Sequence, residues 1–260
     1  MRKASTAVSR TRNEVTRLDR TTIAMWSGPR NISTALMYSF ENRNDCHATD
    51  EPLYAPFLLN SGLPHPGAEE VIENNETDVG KIITTLTGPI PCDNQIWYQK
   101  HMCHHLPENS DISWIDGFKN CFLIRNPREV LLSLSKITDS IDLQSTGLPQ
   151  QLRIFRHVIK SSGKTPPVVD SADILEDPES ILPVLCESIG ITFSQRMLSW
   201  EPGPRKCDGL WGKYWYDSVW QSSGFSPPSP KEGELSGNLH SVLEKSTMIY
   251  QELRNMRIRA

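Results

Sequence analysis

An α/β fold around a mainly parallel sheet is what this 260-residue sequence predicts, on three observations. Apolar runs of strand length alternate with stretches whose apolar residues recur at helical spacing, the pattern of successive βα units. Two of those units, Thr21 to Phe40 and Lys119 to Ser135, pass from strand through a tight turn straight into a helix. The length is also enough for a single domain with a sizeable core, taken as residues 21–260.

Composition narrows the function classes. A net charge of −4 and a pI near 6.0 give no electrostatic reason for a nucleic-acid partner. No apolar run approaches bilayer-spanning length, so no membrane partner is expected. The six cysteines are scattered without C-x-x-C spacing, which suits reduced thiols and a cytoplasmic protein. Residues 1–20 hold six Lys/Arg against Glu14 and Asp19, with few large apolar residues. They read as a disordered basic tail, with an organelle transit segment as the alternative.

The first strand, Ile23 to Trp26, breaks at Ser27-Gly28-Pro29, and a helix follows with Ile32, Ala35, Leu36 and Phe40 on one face. Strand, turn and helix in that order aim backbone N–H groups and the positive helix end at one spot. Such a spot binds anions, and phosphate is the usual one. Arg30 stands in the turn, where its guanidinium can reach the same anion, and Ser33-Thr34 add hydroxyls. A Walker A loop would need G-x-x-x-x-G-K-[ST], and here Ser33 and Thr34 occupy the places of the second glycine and the lysine. An ordinary strand–helix turn with an incidental arginine is the other reading.

Cys46 to Thr49 forms the next strand and runs into Asp50-Glu51, at the end of the sheet where open α/β folds bind ligands. A helix is expected from Pro52 through Leu59, and simple capping of that helix is the alternative role for the two acids. Ser61 to Gly67 is an irregular Pro/Gly/His loop, Glu69 to Asp78 is helical in part, and Val79 to Leu86 has one apolar face. Ile96 to Tyr98 is a strand with Lys100-His101 emerging at its end. Of the three nearby histidines only His101 and His105 have i, i+4 spacing, with no H-E-x-x-H around them. Proton transfer therefore suits a histidine here better than metal binding, and no metal is expected.

Cys121 to Ile124 is a buried-strand run that leaves Arg125 at its end, and Pro127 begins a helix carrying Ser133. A dianionic phosphate wants such a fork of N–H donors and a hydroxyl fixed on a rigid helix. A surface arginine in a plain strand–helix turn is the alternative. Leu148 to Ile159 (helix), Pro167 to Asp170 (strand), Ser180 to Ile189 (helix, stopped by Gly190) and Leu239 to Arg259 (helix) follow, with a Pro/Ser turn over Ser226 to Gly237. Ser199 to Phe225 holds four of the seven tryptophans. Its rings either stack on a base and wall a pocket, or pack the back of the sheet.

Pro29-Arg30-Asn31-Ile32-Ser33-Thr34 resembles the 5′-phosphosulfate loop of the sulfotransferases, P-K-S-G-T-T, with arginine for lysine and Ile32 for glycine. Arg125-Asn126-Pro127 through Ser133 is similar to that family's R-N-P-x-[DE]-x-x-x-S motif, whose arginine and serine bind a 3′-phosphate. Lys100-His101 resembles K-T-H-L-P with the intervening residue lost, and Arg205-Lys206 resembles a late R-K-G, with Cys207 in the glycine's place. The motifs stand in family order over Thr21 to Phe225.

This resemblance implies a three-layer α/β/α sandwich of P-loop NTPase type and 3′-phosphoadenosine-5′-phosphosulfate (PAPS) as co-substrate. The reaction implied is transfer of its sulfuryl group to a hydroxyl or amine of a small-molecule acceptor, without a metal. Donor binding falls to Ser27, Gly28, Pro29, Arg30, Asn31, Ile32, Ser33 and Thr34, with Arg125, Ser133, Arg205 and Lys206. Arg30 and Lys100 are the charge-stabilising candidates, and His101 is the first choice of base, ahead of Glu51 and His104. A nucleotide-dependent kinase using Asp50 for Mg²⁺, and a catalytically silent PAPS or bisphosphate binder, are the alternatives.

Overall fold

The computed structural model describes residues 20–107, 109–227 and 233–260. Residues 1–19 of the basic leader, and residues 228–232 of the expected Pro/Ser turn, lie outside the described residues. Five strands make one sheet: β1 (Thr21–Ser27), β2 (Cys46–Asp50), β3 (Ile96–Met102), β4 (Lys119–Ile124) and β5 (Val168–Asp170). Their order is β2-β3-β1-β4-β5, and every neighbouring pair is parallel. The connecting helices are α1 (Ser33–Glu41), α2 (Tyr54–Ser61), α3 (Ala68–Asn74), α4 (Val79–Leu86), α5 (Pro127–Leu134) and α6 (Leu148–Ser162). After β5 come α7 (Ser171–Glu176), α8 (Pro178–Ile189), the short α9 (Gly212–Trp215) and α10 (Asp217–Trp220), and α11 (Leu239–Arg254).

Parallel strands buried on both faces read as continuous apolar runs, and β1 does so for that reason. Ile23 and Met25 pack beneath α1 and α8, while Ala24 and Trp26 face α4, α6 and α11. The result is the α/β/α sandwich. Local chemistry sets the helix ends: Asn126 caps α5 by accepting from the Arg128 amide with Pro127 in the first turn, and Asp177 caps α8 through the Ser180 amide. Helix α7, short and capped by Asp170, has too little apolar periodicity to be read from sequence. Among the described residues no helix is long and apolar enough to cross a membrane.

From β1 the chain moves to β2 on one side of the sheet, and from β4 to β5 on the other. The carboxyl ends of β1 and β4 thus flank the crevice where such sheets hold ligands. Gly28 sits at that point for a steric reason, since a Cβ there would lie 2.4 Å from the Thr146 carbonyl oxygen. Gly28→Ala should therefore destabilise the fold by about 1–3 kcal/mol, because backbone rather than a flexible side chain must move. Denaturant unfolding of the variant beside the parent checks this, and equal midpoints would refute it.

Candidate active site

The loop after β1 is built to present amides. Arg30 and Ile32 both take left-handed backbone angles, φ 62° and 59°, on either side of Asn31. Alternating left- and right-handed residues turn successive N–H groups to one side, the geometry of an anion nest. A β-branched residue in this region is strained by about 1–2 kcal/mol, and such strain collects at functional sites. No side chain caps the start of α1, so its first-turn amides keep their hydrogen-bonding capacity for something else. Two buried amides hold the loop from below: Asn31 Nδ2 donates to the Leu123 carbonyl at 3.2 Å, and Gln151 Nε2 to the Trp26 and Leu123 carbonyls at 2.9 Å.

Arg125 leaves the end of β4 and donates through Nη1 to the Arg30 carbonyl at 2.9 Å, while Glu129 one turn along α5 accepts from its Nε at 2.9 Å. Arg30 in turn donates through Nε to Ser133 Oγ at 3.0 Å. Two guanidiniums and a helix hydroxyl therefore meet over uncapped amides. Desolvation, then the charge of Arg125, lowers Arg30 below the ordinary arginine value. That repulsion is relieved by an anion between the two.

On the other side of β1 stands a buried charge cluster. Lys100 Nζ lies 2.9 Å from Asp50 Oδ1, 2.8 Å from Glu51 Oε1, 3.0 Å from Thr34 Oγ1 and 2.7 Å from the Tyr216 hydroxyl. Asp50 Oδ2 also accepts from Tyr216 at 2.8 Å and from the Gly209 amide at 3.0 Å. Glu51 is at φ 36°, another left-handed non-glycine, and its Oε2 faces His105 Nε2 at 4.0 Å. One ammonium cannot neutralise two carboxylates, and the surplus falls on Glu51. Burial pushes the Glu51 carboxyl up, with Asp50 adding to the rise and Lys100 opposing it. Burial opposes the charge on Lys100 too, but Asp50 and Glu51 outweigh it and raise its pKa, so the ammonium stays protonated.

A family model described as a sulfotransferase domain matches residues 21–260. The chain belongs to the sulfotransferase domain family. Its fold also aligns with the sulfotransferase domain of the Synechococcus PCC 7002 olefin synthase, at 16% identity and a TM-score of 0.51, covering 88% of this chain and 95% of that one. A sulfotransferase from Alicyclobacillus acidocaldarius aligns at 10% identity and a TM-score of 0.50, over 92% of this chain and 97% of the other. At such identities the likeness concerns the fold. Two Arabidopsis thaliana proteins called branched-chain-amino-acid aminotransferase-like protein 2 and 1 are each 34% identical, over 89% and 90% of this chain. The chain spans 41% of the length of either relative.

Not every residue expected at the site of this sulfotransferase domain reaches it. β3 does not stop at Tyr98 but runs on to Met102, paired with β1 throughout and with β2 as far as Lys100. Strand alternation then sends Lys100 and His101 to opposite faces. His101 is buried against Trp26, with ring centroids 4.4 Å apart, and its Nε2 bonds Gln99 Oε1 at 3.1 Å. Burial pushes it down to about 3, so it is a neutral packing residue rather than a cleft base. The late basic pair is displaced as well: Arg205 pairs with Glu41 in the last turn of α1 and lies over the Tyr38 ring at 4.9 Å, and Lys206 is exposed. Arg205 is thus held at the end of α1 away from the loop, apart from Arg125 and Ser133. Ser27 turns its hydroxyl to the Met102 sulfur at 3.6 Å.

The aromatic stretch divides. Trp200, Trp220 and Phe225 pack the α1 layer, while Trp211, Trp215 and Tyr216 join Tyr54, Phe57 and Val71 beside the charge cluster. Tyr216 and His105 are the site residues missed from sequence. His105 stacks on Phe57 at 4.6 Å and on Tyr54 at 4.9 Å, with His104 beside it, pushed down to about 4 by burial. A signal for His105 existed: it is the histidine followed by Leu106-Pro107, the ending of K-T-H-L-P. Nothing local marked Tyr216, one ring in W-G-K-Y-W-Y-D.

Proposed function

We propose that this domain moves a sulfuryl group from PAPS to a hydroxyl or amine of a small-molecule acceptor, with Glu51 as the base. The observation that carries the donor reading is the convergence of Arg30, Arg125 and Ser133 over the uncapped start of α1. A nucleotide bearing phosphate at both its 3′ and 5′ ends has charge for both parts of that surface. Arg125 and Ser133 would hold the 3′-phosphate, and the loop amides with Arg30 and Thr34 the 5′ end. In the transfer, the acceptor oxygen or nitrogen bonds to sulfur as the sulfur–oxygen bond to the phosphate breaks and its electron pair goes to that phosphate oxygen. Lys100, in contact with Thr34, supplies positive charge where that oxygen develops its own. The acceptor's proton goes to Glu51, whose Oε2 has, among the described residues, no closer partner than His105.

A kinase reading is less well served. It lacks a loop lysine, and both oxygens of Asp50 already accept from Lys100, Tyr216 and the Gly209 amide rather than standing open to Mg²⁺. Sulfate transfer from PAPS across a panel of alcohols, phenols and amines tests the enzyme. Turnover with at least one acceptor is expected, and bisphosphate binding without transfer to any would leave a silent binder. Arg125→Ala should weaken bisphosphate binding by about 2–4 kcal/mol, the effect of removing one partner from a hydrogen-bonded charge pair. Calorimetry reads that loss, and unchanged affinity would remove Arg125 from the donor site.

A further inference from the structure

Tyr216 comes from the aromatic stretch between α8 and α11, far in sequence from Thr34, Asp50, Glu51 and Lys100. Its hydroxyl sits at the centre of the charge cluster. It donates to Asp50 Oδ2 at 2.8 Å, accepts from Trp211 Nε1 at 3.0 Å and from Lys100 at 2.7 Å, and stands 3.4 Å from Glu51 Oε1. The ring is buried, and Lys100 also lies over it at 4.8 Å from the centroid.

Proton counting shows what the hydroxyl does. Lys100 has three protons and four oxygen neighbours: Thr34, Asp50, Glu51 and Tyr216. The hydroxyl has one proton, and Asp50 is its nearest acceptor apart from Lys100, which cannot accept. With the Gly209 amide, Asp50 then has three donors, and among the described residues the Glu51 carboxylate has Lys100 alone within 3.0 Å. The two adjacent acids are therefore unlike. One is pinned as a counter-ion, and the other keeps an open oxygen.

We propose that Tyr216 is a positioning residue for the proton-accepting carboxylate, its hydroxyl fixing Asp50 as the partner of Lys100 so that Glu51 is left to take the acceptor's proton. This rests on the reading of Glu51 as the base. The ionisable groups facing Glu51 are Lys100 from β3, Asp50 from β2, Tyr54 from α2, His105 from the turn after β3, and Tyr216 itself. Among the described residues, only Lys100 and Tyr216 supply hydrogen bonds to the acid pair from side chains. Without the hydroxyl the pair loses a donor to its charged form, and it takes its first proton at higher pH.

The test is a pH titration of the free protein by infrared difference spectroscopy in the protonated-carboxyl region, which needs no acceptor. The parent, Glu51→Gln, Tyr216→Phe and Trp211→Phe are compared, and the band lost in Glu51→Gln identifies Glu51. The first protonated-carboxyl band of the acid pair, which in the parent is that of Glu51, should appear about one pH unit higher in Tyr216→Phe than in the parent. Trp211→Phe keeps the hydroxyl but frees it from its N–H donor, so a smaller shift in the same direction is expected, and it serves should Tyr216→Phe not fold. The same midpoint in the parent and in each folded variant overturns the role of Tyr216. Full turnover in Glu51→Gln, by contrast, shows that the assignment of the base was at fault and removes both.

Discussion

Glu51→Gln lowers turnover by about two to four orders of magnitude, the usual contribution of a positioned general base. The change keeps the shape of the side chain and one acceptor oxygen for Lys100, so the loss reports the proton and not the packing. His101→Asn should stay within about threefold of the parent, because a group touching neither reactant contributes little to the barrier. The pH profile follows from the direction of the Glu51 shift. Burial raises this carboxyl, and a base works only when ionised, so the rate falls as pH drops through a value above the ordinary glutamate pKa. In Glu51→Gln that acidic limb disappears with the rate. Full turnover with the limb intact would transfer the role to another group, with His105 the nearest candidate.

Lys100→Met carries the second large effect, and it acts on stability as well as turnover. The methionine fills the volume but leaves Asp50 and Glu51 buried side by side without a cation. Removing one partner from a buried ion pair is destabilising by about 3–5 kcal/mol, mostly through the charge left behind. Without Lys100, Glu51 has a folded-state pKa still further above its unfolded value. Protonation then favours the fold below the unfolded pKa, and that support is lost as pH rises through the folded one. The gap between parent and variant should be widest near pH 8 and narrow toward about pH 5. Urea unfolding at both pH values measures it, and a deficit independent of pH would mean that packing, not charge, is what Lys100 supplies.

What could be read from the sequence divides along one physical line. The units Thr21 to Phe40 and Lys119 to Ser135 were legible because a parallel strand, a turn and a helix leave local marks, and Arg125 and Ser133 are both set by one short helix. The acids after β2 were also legible, since a strand end beside a proline places them at the crevice. β3 was not. Gln99, Lys100 and His101 are polar, and polar residues after an apolar run read as the end of a strand. Here Gln99 and Lys100 are buried because partners from other elements satisfy them, Leu86 for Gln99 and Asp50 and Glu51 for Lys100, while His101 bonds Gln99 and stacks on Trp26. Pattern reasoning cannot see such partners. Arg205 failed in the opposite way, since its motif looked right and Glu41 holds it elsewhere. Ile32 in a glycine's place is tolerated because the loop is held from both sides, by Asn31 on Leu123 and by Arg125 on the Arg30 carbonyl.

In the proposed donor site the loop after β1 and the end of β4 together hold a nucleotide phosphorylated at both ends. Calorimetric titration with adenosine 3′,5′-bisphosphate, beside ATP and beside 5′-AMP, tests it most directly. Saturable binding of the bisphosphate is expected, with ATP and 5′-AMP each weaker by about tenfold or more, because neither offers a 3′-phosphate to Arg125 and Ser133. ATP binding as tightly as the bisphosphate, or bisphosphate binding no tighter than 5′-AMP, would contradict it.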